Sequence, residues 1–292
     1  MNPGEFSSIG FIGLGDIGLP MACRLAEVGF SPLVFDLRKE CIQEAVRHGA
    51  RAAASLEQIA RECACVMITV VDAAQVRSLV EGVQGLFARA RKGTIFLCHS
   101  TMTPQEAQNL AARAEESGMA WLDAPMSGGS IGARSGSLAF LVGGDRTVFD
   151  RCKPVFDAMG HHAFHLGAVG SAQAAKLANA ILCHLNFLVA IEALRLSEAH
   201  GIPEAVMIEI ARLSTGKNWV IDHWGHMEAT FSKRGNGEYG VEFSRRIRKD
   251  LSYALSVGHV ANLPLPLTAL GVELYPGAVR QRLEAGVGTS NK

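Results

Sequence analysis

What this chain lacks narrows it first. It has no charge surplus of either sign, since 28 Lys and Arg balance 28 Asp and Glu. A protein that neutralises nucleic-acid phosphates carries a basic excess, so no nucleic-acid partner is expected. The seven cysteines (Cys23, Cys41, Cys63, Cys65, Cys98, Cys152 and Cys183) are odd in number and contain no CxxC pair. That argues against a disulfide framework and a zinc centre, and it suits small apolar residues in a reducing compartment. His99, His161, His162 and His165 are not spaced i, i+4 on a helix with a thiolate or carboxylate beside them, so no metal is expected. The opening MNPGEFSSIGFIGLG has no basic stretch leading into an apolar run and cleavage site, so no secretory leader is expected. The most apolar segment, 182–196, is interrupted by His184, Asn186, Glu192 and Arg195. It falls short of the ~20 apolar residues of a membrane span, and no membrane partner is expected. Internal repeats and low-complexity stretches are absent too.

What is present is an apolar chain, 48% hydrophobic and 19% charged over 292 residues. That suits a large core, about two domains and a cytoplasmic setting. The first part alternates. Short apolar runs at 9–12, 32–36, 52–54, 65–70, 94–98, 119–122 and 139–142 read as strands. Helical patterns at 17–28, 41–48, 56–62, 73–80 and 104–117 lie between them. Strand, helix, strand within ~30 residues is the size of a βαβ unit, and its right-handed crossover makes the strands parallel. The character then changes. Residues 172–200 contain neither Pro nor Gly, and they read as one helix of about eight turns. No convincing strand follows residue 167. The expected class is α/β: a doubly wound Rossmann-type parallel sheet over 1–166, joined by the long helix to an all-α domain over 167–292.

The first turn carries a phosphate-binding pattern. Gly13-Leu14-Gly15-Asp16-Ile17-Gly18 fits GxGxxG, follows an apolar strand and opens an amphipathic helix. Asp36 ends the next strand about 20 residues on. In such a loop Gly13 permits the tight turn and Gly15 leaves room for a pyrophosphate. Gly18 lets the helix pack close to the strand, and the helix N-terminus offers free N–H groups. Asp36 should accept hydrogen bonds from a ribose 2′-hydroxyl and repel a 2′-phosphate, which favours NAD. Arg38 nearby could meet that phosphate, so NADP stays possible.

Four further segments resemble the β-hydroxyacid dehydrogenase family, which includes 3-hydroxyisobutyrate dehydrogenase and tartronate semialdehyde reductase. They are Ser100-Thr101-Met102-Thr103-Pro104, then the run DAPMSGGSIGA from Asp123 to Ala133, then GSAQAAKLAN from Gly170 to Asn179, and finally Lys249-Asp250-Leu251. Their order and spacing match the family, and the likeness runs from the opening loop to about Tyr275. The resemblance implies that Ser127, Gly128 and Gly129 bind a substrate carboxylate. The residue types agree, since consecutive small residues expose backbone N–H groups that form an anion-binding nest. It implies that Thr101 lies near the nicotinamide and that Lys249 reaches the cofactor. By residue type alone Lys249 also reads as a solvated member of the basic run from Arg245. Lys176, in an otherwise apolar or small stretch, is either a snorkelling lysine or a buried functional amine. The resemblance makes it the catalytic general acid–base. Asn179, three residues on, shares its helix face and could bind substrate.

The expected activity is hydride transfer between NAD and a small β-hydroxy acid, of the 3-hydroxyisobutyrate or the tartronate semialdehyde and glycerate kind, by a homodimer or homotetramer. A sugar-acid phosphate or imine reductase, or a non-catalytic NAD(H) sensor, is the alternative. The chain departs from the family at Ala172, where a second glycine is usual, and at Ala180, where many relatives have asparagine. It departs again at Cys98, usually acidic, and at Val71-Asp72, often Leu-Pro.

Overall fold

The computed structural model describes residues 8–225 and 238–288. The chain divides into two compact units, Met1–Lys176 and Leu177–Lys292.

In the first unit six parallel strands form one sheet, in the order β3-β2-β1-β4-β5-β6. They are β1 (Ile9–Ile12), β2 (Leu33–Phe35), β3 (Arg51–Ala52), β4 (Cys65–Ile68), β5 (Ile95–Cys98) and β6 (Ala120–Asp123). Side chains alternate across a strand, and the buried residues sort accordingly into two layers. Ile9, Phe11, Cys65, Met67, Ile95 and Leu97 belong to one, with α1 (Gly18–Glu27) and α8 (Arg146–Met159) packed on them. Ile12, Val66, Ile68, Phe96 and Cys98 belong to the other, under α3 (Leu56–Glu62), α4 (Ala73–Val80) and α6 (Pro104–Glu116). A parallel sheet covered on both faces needs strands apolar throughout. Every residue of β1, β4 and β5 is buried. The remaining helices of this unit are α2 (Lys39–Arg47), α5 (Leu86–Arg89) and α7 (Gly129–Ser135).

The strand expected at 139–142 does not join that sheet. It is β8 (Leu138–Val142), the middle of a second sheet between β7 (Met126–Ser127) and β9 (Gly160–His165). β7 is antiparallel to β8, and β9 is parallel to it. The reason lies in the two residues Ala124-Pro125, which separate β6 from β7. A main-chain bridge between Asp123 and Gly143 ties the rim of the large sheet to the end of β8.

Among the described residues no strand follows His165. α9 (Ser171–Ala199) has 29 residues. By length and composition alone it is apolar enough to cross a membrane, with a window of mean hydropathy 1.7; a core helix of a soluble protein passes the same test. The sequence reading of 182–196 did not reach that threshold, because the apolar stretch begins before residue 182. In the second unit Phe187, Ile191 and Leu194 of α9 form a core with three other helices. These are α10 (Glu204–Leu213), α12 (Glu238–Val260) and α13 (Pro266–Gly288), with the short α11 (Trp219–Asp222) beside them. Tyr275 is fully buried in that core.

Candidate active site

The turn after β1 is built by its glycines. Gly13 has φ +93°, and a Cβ there would lie 2.2 Å from the Thr69 carbonyl oxygen. A Cβ on Gly18 would lie 2.1 Å from the Gly13 carbonyl oxygen, so the first turn of α1 presses on the loop itself. A Cβ on Gly15 would meet nothing within 4 Å. One glycine therefore keeps space empty that nothing in the fold fills, beside a helix start with unsatisfied N–H groups and a partial positive charge. Leu14 is buried, whereas Asp16 and Ile17 are half-buried.

Asp36, just beyond β2, closes the rim. Its Oδ2 accepts the Leu14 N–H at 2.6 Å, and its Oδ1 accepts the Arg38 N–H at 2.8 Å. Arg38 Nε also donates to Oδ1 at 3.2 Å, and its Nη2 donates to the Leu14 carbonyl at 2.9 Å. Burial pushes the Asp36 carboxyl up, but the N–H groups of Arg38 and Leu14 and the guanidinium outweigh it and hold it below the ordinary range. These residues fit a dinucleotide, with open room at Gly15, an ionised carboxylate at Asp36 and a cation held beside it.

The other loops of this unit gather at the C-terminal ends of the strands, where parallel sheets bind ligands. Ser100 Oγ accepts the Val70 N–H at 2.9 Å and donates to the Val70 carbonyl at 2.8 Å. Thr103 and Glu106 form a reciprocal capping box, with Pro104 in the first turn, so α6 starts sharply after Met102. Thr101, half-buried, lies between these two anchors. His99 bonds through Nδ1 to the Ala124 carbonyl at 2.7 Å. Burial pulls its pKa down to about 4, so the imidazole is neutral at pH 7. No side chains among the described residues form a group of three His, Cys, Asp or Glu able to hold a metal.

The strand β7 ends at Ser127. Gly128 (φ +122°) and Gly129 (φ +61°) then adopt left-handed backbone that a side chain would strain. They turn the chain directly into α7, whose first N–H groups have no partner within the helix. Lys176, in the second turn of α9 and half-buried, donates from Nζ to the Met126 carbonyl at 2.8 Å. The amine therefore lies one residue from Ser127. This is the juxtaposition the sequence motifs imply but cannot demonstrate. Asn179 stands one turn further along α9, half-buried. Lys249 lies on α12 in the second unit, 3.3 Å from Asp250 Oδ1 and 5.5 Å from the Tyr253 ring centre. Three of the departures are packed away: Cys98, Ala172 and Ala180 are buried, at 0%, 0% and 1% exposure.

Four buried polar residues at this edge were not assigned to the site from sequence. They are His99, Ser100, Asp123 and Gln173. Asp123 accepts N–H groups from Gly170 and Gln173, each at 3.2 Å. Burial raises its carboxyl to about 6, against the opposing pull of those N–H donors. The available signal was a lone carboxylate closing the apolar strand Trp121-Leu122-Asp123.

A family model described as the NAD binding domain of 6-phosphogluconate dehydrogenase matches residues 8–167. One described as the NAD-binding domain of NADP-dependent 3-hydroxyisobutyrate dehydrogenase matches residues 170–290. An NAD-dependent L-serine dehydrogenase of Pseudomonas aeruginosa is 37% identical over 94% of this chain and 92% of its own length. A 3-hydroxyisobutyrate dehydrogenase of the same organism is 36% identical over 92% and 91%. A solved structure of Mycobacterium tuberculosis 3-hydroxyisobutyrate dehydrogenase with L-serine superposes with a TM-score of 0.79 at 27% identity, covering 98% of this chain and all of that one. These matches, which together span nearly the whole chain, show that it belongs to the β-hydroxyacid dehydrogenase family of NAD(P)-dependent oxidoreductases.

Proposed function

We propose that the chain interconverts a small β-hydroxy acid and its carbonyl form, with Lys176 as the general acid–base. The observation that carries this reading is the 2.8 Å hydrogen bond from Lys176 Nζ to the carbonyl of Met126, next to Ser127. The relatives named for L-serine and for 3-hydroxyisobutyrate support the substrate class. Both molecules carry a hydroxyl on the carbon β to a carboxylate.

Ser127, Gly128 and Gly129 would hold the carboxylate through N–H groups and a hydroxyl. A bound nicotinamide supplies the acceptor for the hydride that leaves the carbinol carbon. Lys176, as the free amine, takes the hydroxyl proton as that C–H bond breaks. In the reverse direction its ammonium polarises the carbonyl and returns the proton to the developing alkoxide. Asn179, on the same helix face, would hydrogen-bond the substrate. Leu14, Asp16 and Ile17 complete the phosphate turn, Thr101 and Lys249 serve the cofactor, and Asp36 favours NAD over NADP.

The test is turnover on a panel of β-hydroxy acids, followed by absorbance of the reduced cofactor. Lys176→Ala should keep NAD affinity and lower kcat by ~10²–10⁴-fold. Wild-type turnover in that variant refutes the assignment. We also propose a cytoplasmic homodimer or homotetramer. None of the seven cysteines, all of them described, is in a disulfide. Leu182, Val189 and Leu196, spaced by seven on α9, are 67%, 61% and 66% exposed. Light scattering at micromolar concentration measures the assembly, and a monomer there sinks the proposal.

A further inference from the structure

The first turn of α9 is not capped by its own sequence. Gly170, at the cap position, has no side chain, and the Ser171 hydroxyl donates back to the Ala168 carbonyl at 2.7 Å. The cap comes from β6 instead. Asp123 Oδ1 accepts the Gly170 N–H and Oδ2 accepts the Gln173 N–H, across 47 and 50 residues of chain. Gly143 makes room for it, since a Cβ there would lie 2.4 Å from Asp123 Oδ1.

Gln173 extends the connection. Its Oε1 accepts the Met102 N–H and its Nε2 donates to the Ser100 carbonyl, each at 3.1 Å. Ser100 in turn is bonded to Val70. One continuous set of hydrogen bonds therefore joins the ends of β4, β5 and β6 to the start of α9. Asp123 and Gln173 are both wholly buried. A local cap would hold the helix wherever it pointed, whereas a cap borrowed from the sheet fixes its position and its rotation. Lys176 is three residues after Gln173, hence on the same face.

We propose that Asp123 and Gln173 are positioning residues of the reaction, which lock the first turn of α9 to the sheet edge and so hold Lys176 Nζ against the Met126 carbonyl beside the Ser-Gly-Gly loop. The proposal rests on the role given to Lys176 above. The carboxylate is retained at a cost, since burial raises it to about 6. A cap needed only for stability would lie more cheaply in water.

Two near-isosteric variants test this. Asp123→Asn offers one acceptor and turns an amide N–H toward the other donor. Gln173→Glu keeps the Met102 bond and sets a carboxylate oxygen against the Ser100 carbonyl. Amide exchange over residues 170–176, NAD titration, kcat, KM and the primary deuterium isotope effect are measured on a substrate deuterated at the carbinol carbon. Expected are faster exchange over that segment and NAD affinity within about twofold. kcat should fall ~10–100-fold, the scale of a catalytic group displaced by an ångström. KM should change less, and the isotope effect on kcat/KM should rise because transfer becomes slower.

A loss of kcat that only follows the folded fraction, with the isotope effect unchanged, overturns the proposal, as does wild-type kcat with wild-type exchange. If Asp123→Asn does not fold, Gln173→Glu decides by the same readouts. The Lys176→Ala variant separates the two claims. Full activity there sinks the lysine and this proposal together, while an inactive Lys176→Ala beside fully active Asp123→Asn and Gln173→Glu sinks positioning alone.

Discussion

Replacing Gly15 and Gly18 by alanine, one at a time, should separate binding from folding within a single six-residue turn. A methyl on Gly15 meets nothing within 4 Å, and the residue does not have left-handed backbone. Alanine there restricts the unfolded chain without straining the folded one, a gain of ~0.4–1 kcal/mol. On the proposed cofactor site the same methyl would stand where the pyrophosphate approaches. Loss of one or two charge-assisted hydrogen bonds, each worth ~1.5–3 kcal/mol, weakens NAD by at least ~10-fold. At Gly18 the methyl would be 2.1 Å from the Gly13 carbonyl oxygen, and both atoms belong to the main chain. Helix α1 must then move by more than an ångström, an overpacking cost of ~1–3 kcal/mol. That lowers Tm by ~2–12 °C for a unit of this size. Circular-dichroism melting and calorimetric NAD titration read the two quantities separately. A Gly15→Ala protein that binds NAD like the parent refutes the placement of the phosphates. A Gly18→Ala protein that melts like the parent refutes the packing argument.

Removing Asp36 should act on cofactor choice: Asp36→Ala is expected to weaken NAD and shift the ratio of kcat/KM for NAD over NADP toward NADP, and an unchanged ratio excludes Asp36 as the ribose reader. The two buried titrating groups give opposite pH slopes. His99, lowered to about 4, stays neutral in the folded chain while the unfolded chain takes up a proton, so its contribution to stability is present above pH ~6.5 and lost as pH falls toward 4. Asp123, raised to about 6, holds a proton that the unfolded chain has released, so its contribution favours the fold near pH 4 and is lost as pH rises through 6. Relative to the parent, Asp123→Asn should therefore gain stability from pH 4 to 6 and His99→Gln should lose it. Chemical denaturation across that range checks both signs, and parallel curves for parent and variants contradict them.

The doubly wound sheet was readable because its strands are short, apolar on both sides and punctuated by glycine. Two of the missed elements are adjacent. Helix α8 carries Pro154 in its interior, which ordinarily ends a helical pattern. Strand β9 is Gly-His-His-Ala-Phe-His, an edge strand of the small sheet with His161 and His162 exposed. It therefore shows no alternation of apolar and polar residues. The phosphate turn was legible because its context of strand, glycines and acid is local. Lys176 and the Ser-Gly-Gly loop could be paired only through resemblance, because 50 residues separate Lys176 from Met126. Asp123 and Gln173 lie in the runs that carry the resemblance, but the bonds they make were not legible, because their partners are backbone groups that every residue possesses.

The clasp between Asp36 and Arg38 bears on how such a chain can diverge. The acid that would repel a phosphate on the ribose is also the tether of the base that would welcome one. A single nucleotide change at that codon would remove the carboxylate and its hold on the guanidinium, which the Leu14 carbonyl would still anchor. On the role proposed for Asp36, a preference for NAD would thus be separated from its opposite by one mutational step rather than two.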